Sequence, residues 1–256
     1  EAVKMTVGRK SLTFAKKTDS EIITEILNSY SLEKKITATS NKWPQMVQYY
    51  TTDWDFMLSR AEANGFIVSA NNGKVFVVNP LEDKTSVLSL SYGESIYQFN
   101  GDLNAIDQIG KAKSSSWDYK TQSIVSGESA SDYAGAGNIS SKKLSEVVGL
   151  AEYQLKTPGT LNQDELSNWS KAQIIKSELS KFSGEVTCQG NHLVLPGNFI
   201  TLKNLGARFN GDHFVSKVTH TIAEGNWMTE IGFGLSSEWF TESHDVMAAP
   251  AAGLLP

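Results

Sequence analysis

Between Phe182 and Trp239, apolar and β-branched residues come in runs of four to eight, cut by Gly, Asn and Pro. The runs are Glu185–Gln189, Leu193–Gly197, Phe199–Leu202, Ala207–Gly211, His213–His220 and Met228–Gly234. Runs of that length and composition predict short antiparallel strands closing on one another as a barrel or sandwich. Strict alternation within His213–His220 places Phe214, Ser216, Val218 and His220 on one face, and Val215, Lys217 and Thr219 on the other. A second all-β stretch covers residues 85–125, with Ser86–Leu90, Ser95–Phe99 and Ile109–Trp117 as its strands. We read the two stretches as one barrel interrupted by an insertion.

Helical periods occupy the intervals. Thr18-Asp-Ser-Glu21 fits a capping box, and Ile22, Ile23, Ile26, Leu27 and Tyr30 follow at helical spacing. After a short strand at Lys35–Thr39 and a break at Trp43-Pro44, Thr52 opens a second helix striped by Trp54, Met57, Leu58 and Ala61. Asp53 and Asp55 stand in its first turn, where the helix dipole favours negative charge, and Gly65 ends it. Asn71-Asn-Gly73 between apolar runs predicts a hairpin. Further on, Ser140 or Ser141 caps a short helix ended by Gly149. Asn162-Gln-Asp-Glu165 caps a longer one striped by Leu166, Trp169, Ala172, Ile175, Leu179 and Phe182, with Gly184 just past its end. Ser126–Gly137, rich in Ser, Ala and Gly and including Asp132 and Tyr133, has no apolar period and reads as a mobile loop. Trp169 and Phe214 are expected in the core. No internal repeat or heptad run is present.

Chemistry is sparse. The chain has 256 residues, a net charge of −5 and interspersed acidic and basic side chains, which argues against a nucleic-acid footprint. No apolar run is long enough for a membrane span, and Glu1 is not followed by a signal-peptide pattern. The single cysteine, Cys188, reads as a small core residue. Of the four histidines, His192, His213, His220 and His244, the middle two have opposite parity on one predicted strand and cannot face one ion. His220 reads as a strand-end histidine bonded to backbone. Gly135-Ala-Gly137 follows no strand and lacks the Gly-Lys-Ser/Thr of a phosphate cradle, and no Gly-x-Ser-x-Gly elbow is present. Asp53/Asp55 and Asp164/Glu165 are explained by helix capping. Asn138 and Asn168 open glycosylation sequons by pattern alone, and Trp117, Trp227 and Trp239 are candidates for sugar stacking. No catalytic, cofactor-binding or metal-ligating set is expected, and the reading is non-enzymatic.

One ordered set of residues adds to this. Pro196-Gly197 ahead of an apolar strand, then Gly206, Arg208-Phe-Asn-Gly211, a strand ending Val218-Thr-His220, Trp227-Met-Thr229 and Phe233-Gly-Leu235 resembles the hub module of valine-glycine repeat (VgrG, or Rhs element Vgr) proteins. These are the spike proteins of type VI secretion and of phage-tail-like contractile injection systems, similar to phage baseplate hubs. Val3-Lys-Met-Thr6, Thr13-Phe14, Thr18-Asp-Ser-Glu21, Gln48-Tyr49, Thr52–Phe56 and Arg60–Gly65 extend the resemblance to about Phe240.

The resemblance implies an α+β, mainly β chain containing an interrupted antiparallel β-barrel of the phage-hub type, with an α/β unit and a helical insertion. On that reading residues 1–14 end a preceding barrel, 15–82 form the α/β unit, and 83–126 are the first part of the β-barrel. Residues 127–183 are the loop and helical insertion, 184–240 the second part of the barrel, and 241–256 a linker toward a spike domain. It implies a homotrimer that meets a hexameric tube protein on one side and a three-fold spike on the other, with baseplate proteins and effector cargo as further partners. Such a hub assembles in the bacterial cytoplasm and is ejected on contraction, with no cofactor and no stable membrane insertion. Both ends read as cut: Ala2–Val7 as the inside of a strand, and Ala251–Pro256 as an apolar tail with nothing to pack on. The competing expectations are a stand-alone carbohydrate-binding β-domain and a cell-wall hydrolase component.

Overall fold

The computed structural model describes residues 2–131, 133, 135–150, 152–244 and 246. The described chain divides into two compact units: one runs to Asn79 and includes Glu238–His244, and the other is Pro80–Ser237.

In the first unit a 3-10 turn, Ala2–Thr6, leads into β1 (Lys10–Thr18), α1 (Asp19–Asn28), β2 (Glu33–Ile36), β3 (Lys42–Thr51), α2 (Asp53–Ala63), β4 (Ile67–Asn71) and β5 (Lys74–Val78). The opening is a turn where a strand was expected, because Met5 alone is buried while Val3 and Val7 are exposed, a spacing that no strand face gives. The Thr18 hydroxyl accepts from the Glu21 amide and Glu21 accepts from the Thr18 amide, so the capping box forms as its spacing predicts. Trp43-Pro44 does not break the chain but lies inside β3, which among the described residues pairs only with β1. In a two-stranded ribbon the cost of proline is local: Ala15 pairs with Gln45 and Lys17 with Trp43, while the Lys16–Pro44 position between them is skipped. Strands β2, β5 and β4 form a second sheet whose β4–β5 hairpin turns at Asn72 and Gly73, both at positive φ, as the Asn-Gly signal requires. Ile22, Ile23, Leu27, Met57, Ala61, Val75 and Val77 bury between these layers.

The second unit contains β6 (Ser86–Ser91), β7 (Ile96–Leu103), β8 (Lys111–Asp118), β9 (Ser123–Ala130), α3 (Ser141–Val148), β10 (Glu152–Thr157), α4 (Gln163–Leu179), β11 (Phe182–Gln189), β12 (Phe199–Lys203), α5 (Gly206–Phe209), β13 (Gly211–Ala223) and β14 (Asn226–Phe233). Six strands form a curled half-barrel in the order β6-β12-β13-β14-β11-β7, antiparallel throughout except at the parallel β6 edge. β6 and β7 are neighbours in sequence but lie at opposite ends of that order, and a lone bridge joins Tyr92 to Ile96 in the connection between them. The chain from 184 to 240 and the chain before residue 104 thus share one sheet, across the helical segment.

The division within residues 83–126 differs from expectation. Only β6 and β7 join the half-barrel; β8 and β9 form a separate sheet with β10, in the order β10-β8-β9, covered on one face by α4. The stretch read as a loop from Ser126 is the second half of β9 as far as Ala130, where Lys113, Ser115 and Lys111 of β8 pair with Glu128, Ser126 and Ala130. Asp132, which was included in that loop, lies outside the described residues. The small residues of this strand allow close packing. A Cβ built on Gly127 would stand 2.4 Å from the backbone nitrogen of Ser167, and Ser114 donates to the Leu166 carbonyl at 2.7 Å.

The same packing sets the phase of α4, which ends at Leu179. Its buried face carries Ser170, Gln173 and Ser177 beside Leu166, Ala172 and Ile174, while Trp169 is half-buried. An apolar-stripe rule misses a face that includes serines, each of which has a partner: Ser170 donates to Ser114 at 3.0 Å, and Ser177 to the Asp107 carbonyl at 2.8 Å. Phe182 and Gly184 belong to β11, and Phe214 is buried, 5 % exposed, with its ring edge-on to Phe199.

Candidate assembly surface

The half-barrel has two unlike faces. Inward, Val186 and Cys188 of β11, Thr229, Ile231 and Phe233 of β14, and Val215 of β13 are buried. Outward, cross-strand rows run Asn100–Glu185–Gly232–Lys217 and Gln98–Thr187–Glu230–Thr219 across β7, β11, β14 and β13. Gln98, Asn100, Asp102, Glu185, Lys217 and Thr219 of this face are all exposed. The Lys217 ammonium lies 4.0 Å from the carboxylates of both Glu185 and Glu230. Exposed pairs of this kind contribute little to stability. The rows therefore describe a hydrophilic surface of amides, hydroxyls and charges carried on the sheet.

The inward face is aligned by a bulge that the sequence pattern conceals. Val215 pairs with Phe233 and Lys217 with Gly232, which leaves Ser216 as an extra residue on β13. One inserted residue reverses the alternation beyond it. Val215 and Val218 thus both pack into the core, and His213 and His220 share a face after all, a correction to their expected opposite parity. They still serve different partners. His213 is buried, 3 % exposed; its Nε2–H donates to the Phe209 carbonyl at 2.8 Å, and its ring meets Phe182 and Phe233. His220 is hydrogen-bonded to the Thr229 hydroxyl at 3.0 Å and lies against the Trp227 ring, so its partners are side chains where backbone was expected.

The remaining candidates are scattered. His192 is exposed, and the exposed His244 stacks on Phe240. Cys188 is a buried free thiol in β11, its pKa raised by burial. Asp164 and Glu165 stand in the first turn of α4, where Glu165 completes a capping box with Asn162. Asp53 does more than the capping argument assigned to it. Burial raises its carboxyl, but hydrogen bonds from Lys10 at 2.6 Å, the Tyr30 hydroxyl at 2.5 Å and Gln48 at 2.8 Å outweigh that and hold it below the ordinary value. Its partners come from three other segments, so nothing in the local sequence announces the network. Gly135 and Gly137 accommodate neighbours and not a phosphate: a Cβ would meet the Tyr133 ring at 2.7 Å and the Arg208 carbonyl at 2.3 Å, respectively. Among the described residues no group of three or more His, Cys, Asp or Glu is placed to hold a metal ion, and no helix is long and apolar enough to cross a membrane.

Solved structures similar to this one include phage-tail proteins and a type VI secretion component. The 43 kDa tail protein of prophage MuSo2 from Shewanella oneidensis superposes with a TM-score of 0.67 at 9% identity, over 92% of this chain and 71% of that one. The tail protein from Neisseria meningitidis MC58 does so with 0.66 at 10% identity, over 92% and 72%. The E. coli c3393 protein is described as a type VI secretion component with structural similarity to T4 bacteriophage tail proteins gp27 and gp5. It matches with 0.55 at 10% identity, over 91% of this chain and 53% of its own. At such identities the likeness is one of fold. No curated protein sequence matches the chain. Residues 1–224 match the model of a family described as the Alg8 N-terminal domain, and the chain belongs to that family.

Proposed function

We propose that the protein is a structural hub subunit of a phage-tail-like contractile injection apparatus and that it acts by rigidity, without catalysis. The observation that carries this reading is the curled half-barrel of β6-β12-β13-β14-β11-β7, in a fold shared with tail proteins over nine-tenths of the chain. The hydrophilic outer face of that sheet supports it, because a hub that surrounds a channel needs polar side chains fixed on strands and no cleft for a substrate. Three copies, each with two related barrels, present six similar surfaces to a hexameric tube and meet a three-fold spike without six-fold symmetry of their own. On this reading β6 and β7, together with residues 184–240, contribute to one of the two barrels, effector cargo travels with the assembly, and the partners are tube, spike and baseplate proteins.

A second reading, carbohydrate binding, is favoured by one feature. Trp117, 43 % exposed, and Tyr119, 66 % exposed, both lie at the end of the β8–β9 hairpin, where aromatic rings can stack on sugar faces. Co-expression with the tube subunit, followed by capture through a tag on the tube, separates the two. The hub reading expects co-purification that survives Trp117→Ala. Failure to capture the chain, together with Trp117-dependent binding on a glycan array, would install the carbohydrate reading instead.

A further inference from the structure

The hairpin of β13 and β14 runs on past its neighbours. β12 pairs with β13 only from Gly211 to Phe214, whereas the pairing with β14 continues to Ala223 and Asn226. Val215 accepts from the Gly197 amide and donates to the Asn198 carbonyl, both at 2.9 Å. From Lys217 to Ala223 the edge of β13 away from β14 has no strand beside it among the described residues.

The hairpin turn fixes which backbone groups face that edge. Glu224 and Gly225 form a two-residue turn, both at positive φ, which closes on a hydrogen-bonded Ala223–Asn226 pair. Counting back by twos, Lys217, Thr219 and Thr221 bond to β14, while Val218, His220 and Ile222 turn their amides and carbonyls to the open side. The opposite strand agrees. The Trp227 carbonyl, across from Ile222, accepts at 2.8 Å from the amide of Gly190, just past β11 on the far side of β14. Among the described residues no loop or turn bonds the backbone of Val218, His220 or Ile222. Ile222 is 78 % exposed, and Val218–Ala223 contains no proline and no charge, two of the devices that keep an edge from pairing.

We propose that this edge is a self-pairing surface, on which β13 of a second copy of the chain lies antiparallel about a two-fold axis at His220. The free length sets the register. The bonds of Val215 close one end and the turn closes the other, so residues 217–223 meet their own counterpart fully only when centred on His220. In that register Val218 faces the partner's Ile222, Thr219 faces the partner's Thr221, and the two His220 residues face each other. Lys217 faces the partner's Ala223, beside the partner's Glu224. The charge at each end thus meets an opposite one, and an exposed isoleucine gains an apolar neighbour. Three hydrogen-bonded pairs, about six backbone bonds, make a small interface, so the pairing is reversible and depends on concentration. It doubles whatever particle the chain forms and leaves the number of copies within a ring untouched, so it does not rest on the hub reading.

Sedimentation equilibrium of the full chain at pH 8, from roughly 10 μM to 1 mM, is expected to show a mass rising toward twice its starting value. Ile222→Lys, which sets a charge against the partner's Val218 at an exposed and therefore tolerant position, is expected to abolish the rise. Hydrogen exchange over the same range reads the parity: the amides of Val218, His220 and Ile222 gain protection by about threefold, while those of Thr219 and Thr221, already bonded to β14, do not. Oxidation tests the axis. His220→Cys is expected to cross-link at least about tenfold faster than Thr221→Cys, because only residues directly opposite bring their Cα atoms within about 5.5 Å. A mass that stays constant over the whole range, an Ile222→Lys protein that still doubles, or His220→Cys cross-linking no faster than Thr221→Cys overturns the proposal.

Discussion

Phe214 and Trp169 show how burial, and not residue type, sets the worth of a side chain. Phe214 is nearly enclosed and edge-on to Phe199, so Phe214→Ala should destabilise the second unit by about 3–5 kcal/mol. The half-buried Trp169 should cost only about 1–2 kcal/mol on the same change. Chemical denaturation followed by circular dichroism measures both, and equal losses would mean that the phase of α4 is wrong. The sequence assigns both rings to the core because both lie at apolar spacing. It cannot show that α4 packs through Ser170 and Ser177, on β8 and on the loop before it, since hydroxyls become compatible with burial only when a partner from elsewhere accepts their proton. Asp53 makes the same point at the candidate-site level: its helix-start position was legible, whereas Lys10, Tyr30 and Gln48 converge on it only after folding.

Local signals with a stereochemical cause were the readable part of the elements. The capping boxes at Thr18 and Asn162, the left-handed Gly149 at the end of α3 and the Asn-Gly hairpin of β4–β5 form as their residues dictate. Pairing across long separations was not readable, which is why β8 and β9 were merged with the barrel strands that precede them. The bulge at Ser216 escaped for a related reason. An inserted residue shows only when the partner strand is known, and without it strict alternation puts the two histidines on opposite faces. Gly127 carries a test of the α4 packing. The added methyl of Gly127→Ala has no space between β9 and the Leu166–Ser167 backbone, so α4 must lift from the sheet. Thermal unfolding should register a loss of about 2 kcal/mol or more, comparable to core overpacking. Adding Thr221→Ala, on the exposed part of β13, should leave the loss unchanged; a neutral Gly127→Ala protein would contradict the close approach.

For the whole molecule, the mainly β fold and its half-barrel agree with the expectation drawn from the ordered motifs between Pro196 and Leu235, and the fold is shared with tail proteins. Absence of a catalytic pattern was a weak guide in the sequence, since a site can be assembled from distant residues. The described structure gathers its buried charges into the Asp53 network, the Asp19–Arg60 fork at 2.7 and 2.9 Å, and the His213 cluster, all of which tie elements together. The outer sheet face, with its two rows from β7 to β13, is the surface that the proposed hub would present to its neighbours. The trimeric hub is the central claim, and native mass spectrometry of the full-length protein, alone and with its tube subunit, tests it most directly. The account predicts three copies per particle, and an added mass equal to six tube subunits when tube protein is supplied; a mass of one copy that does not change on adding tube protein would contradict it.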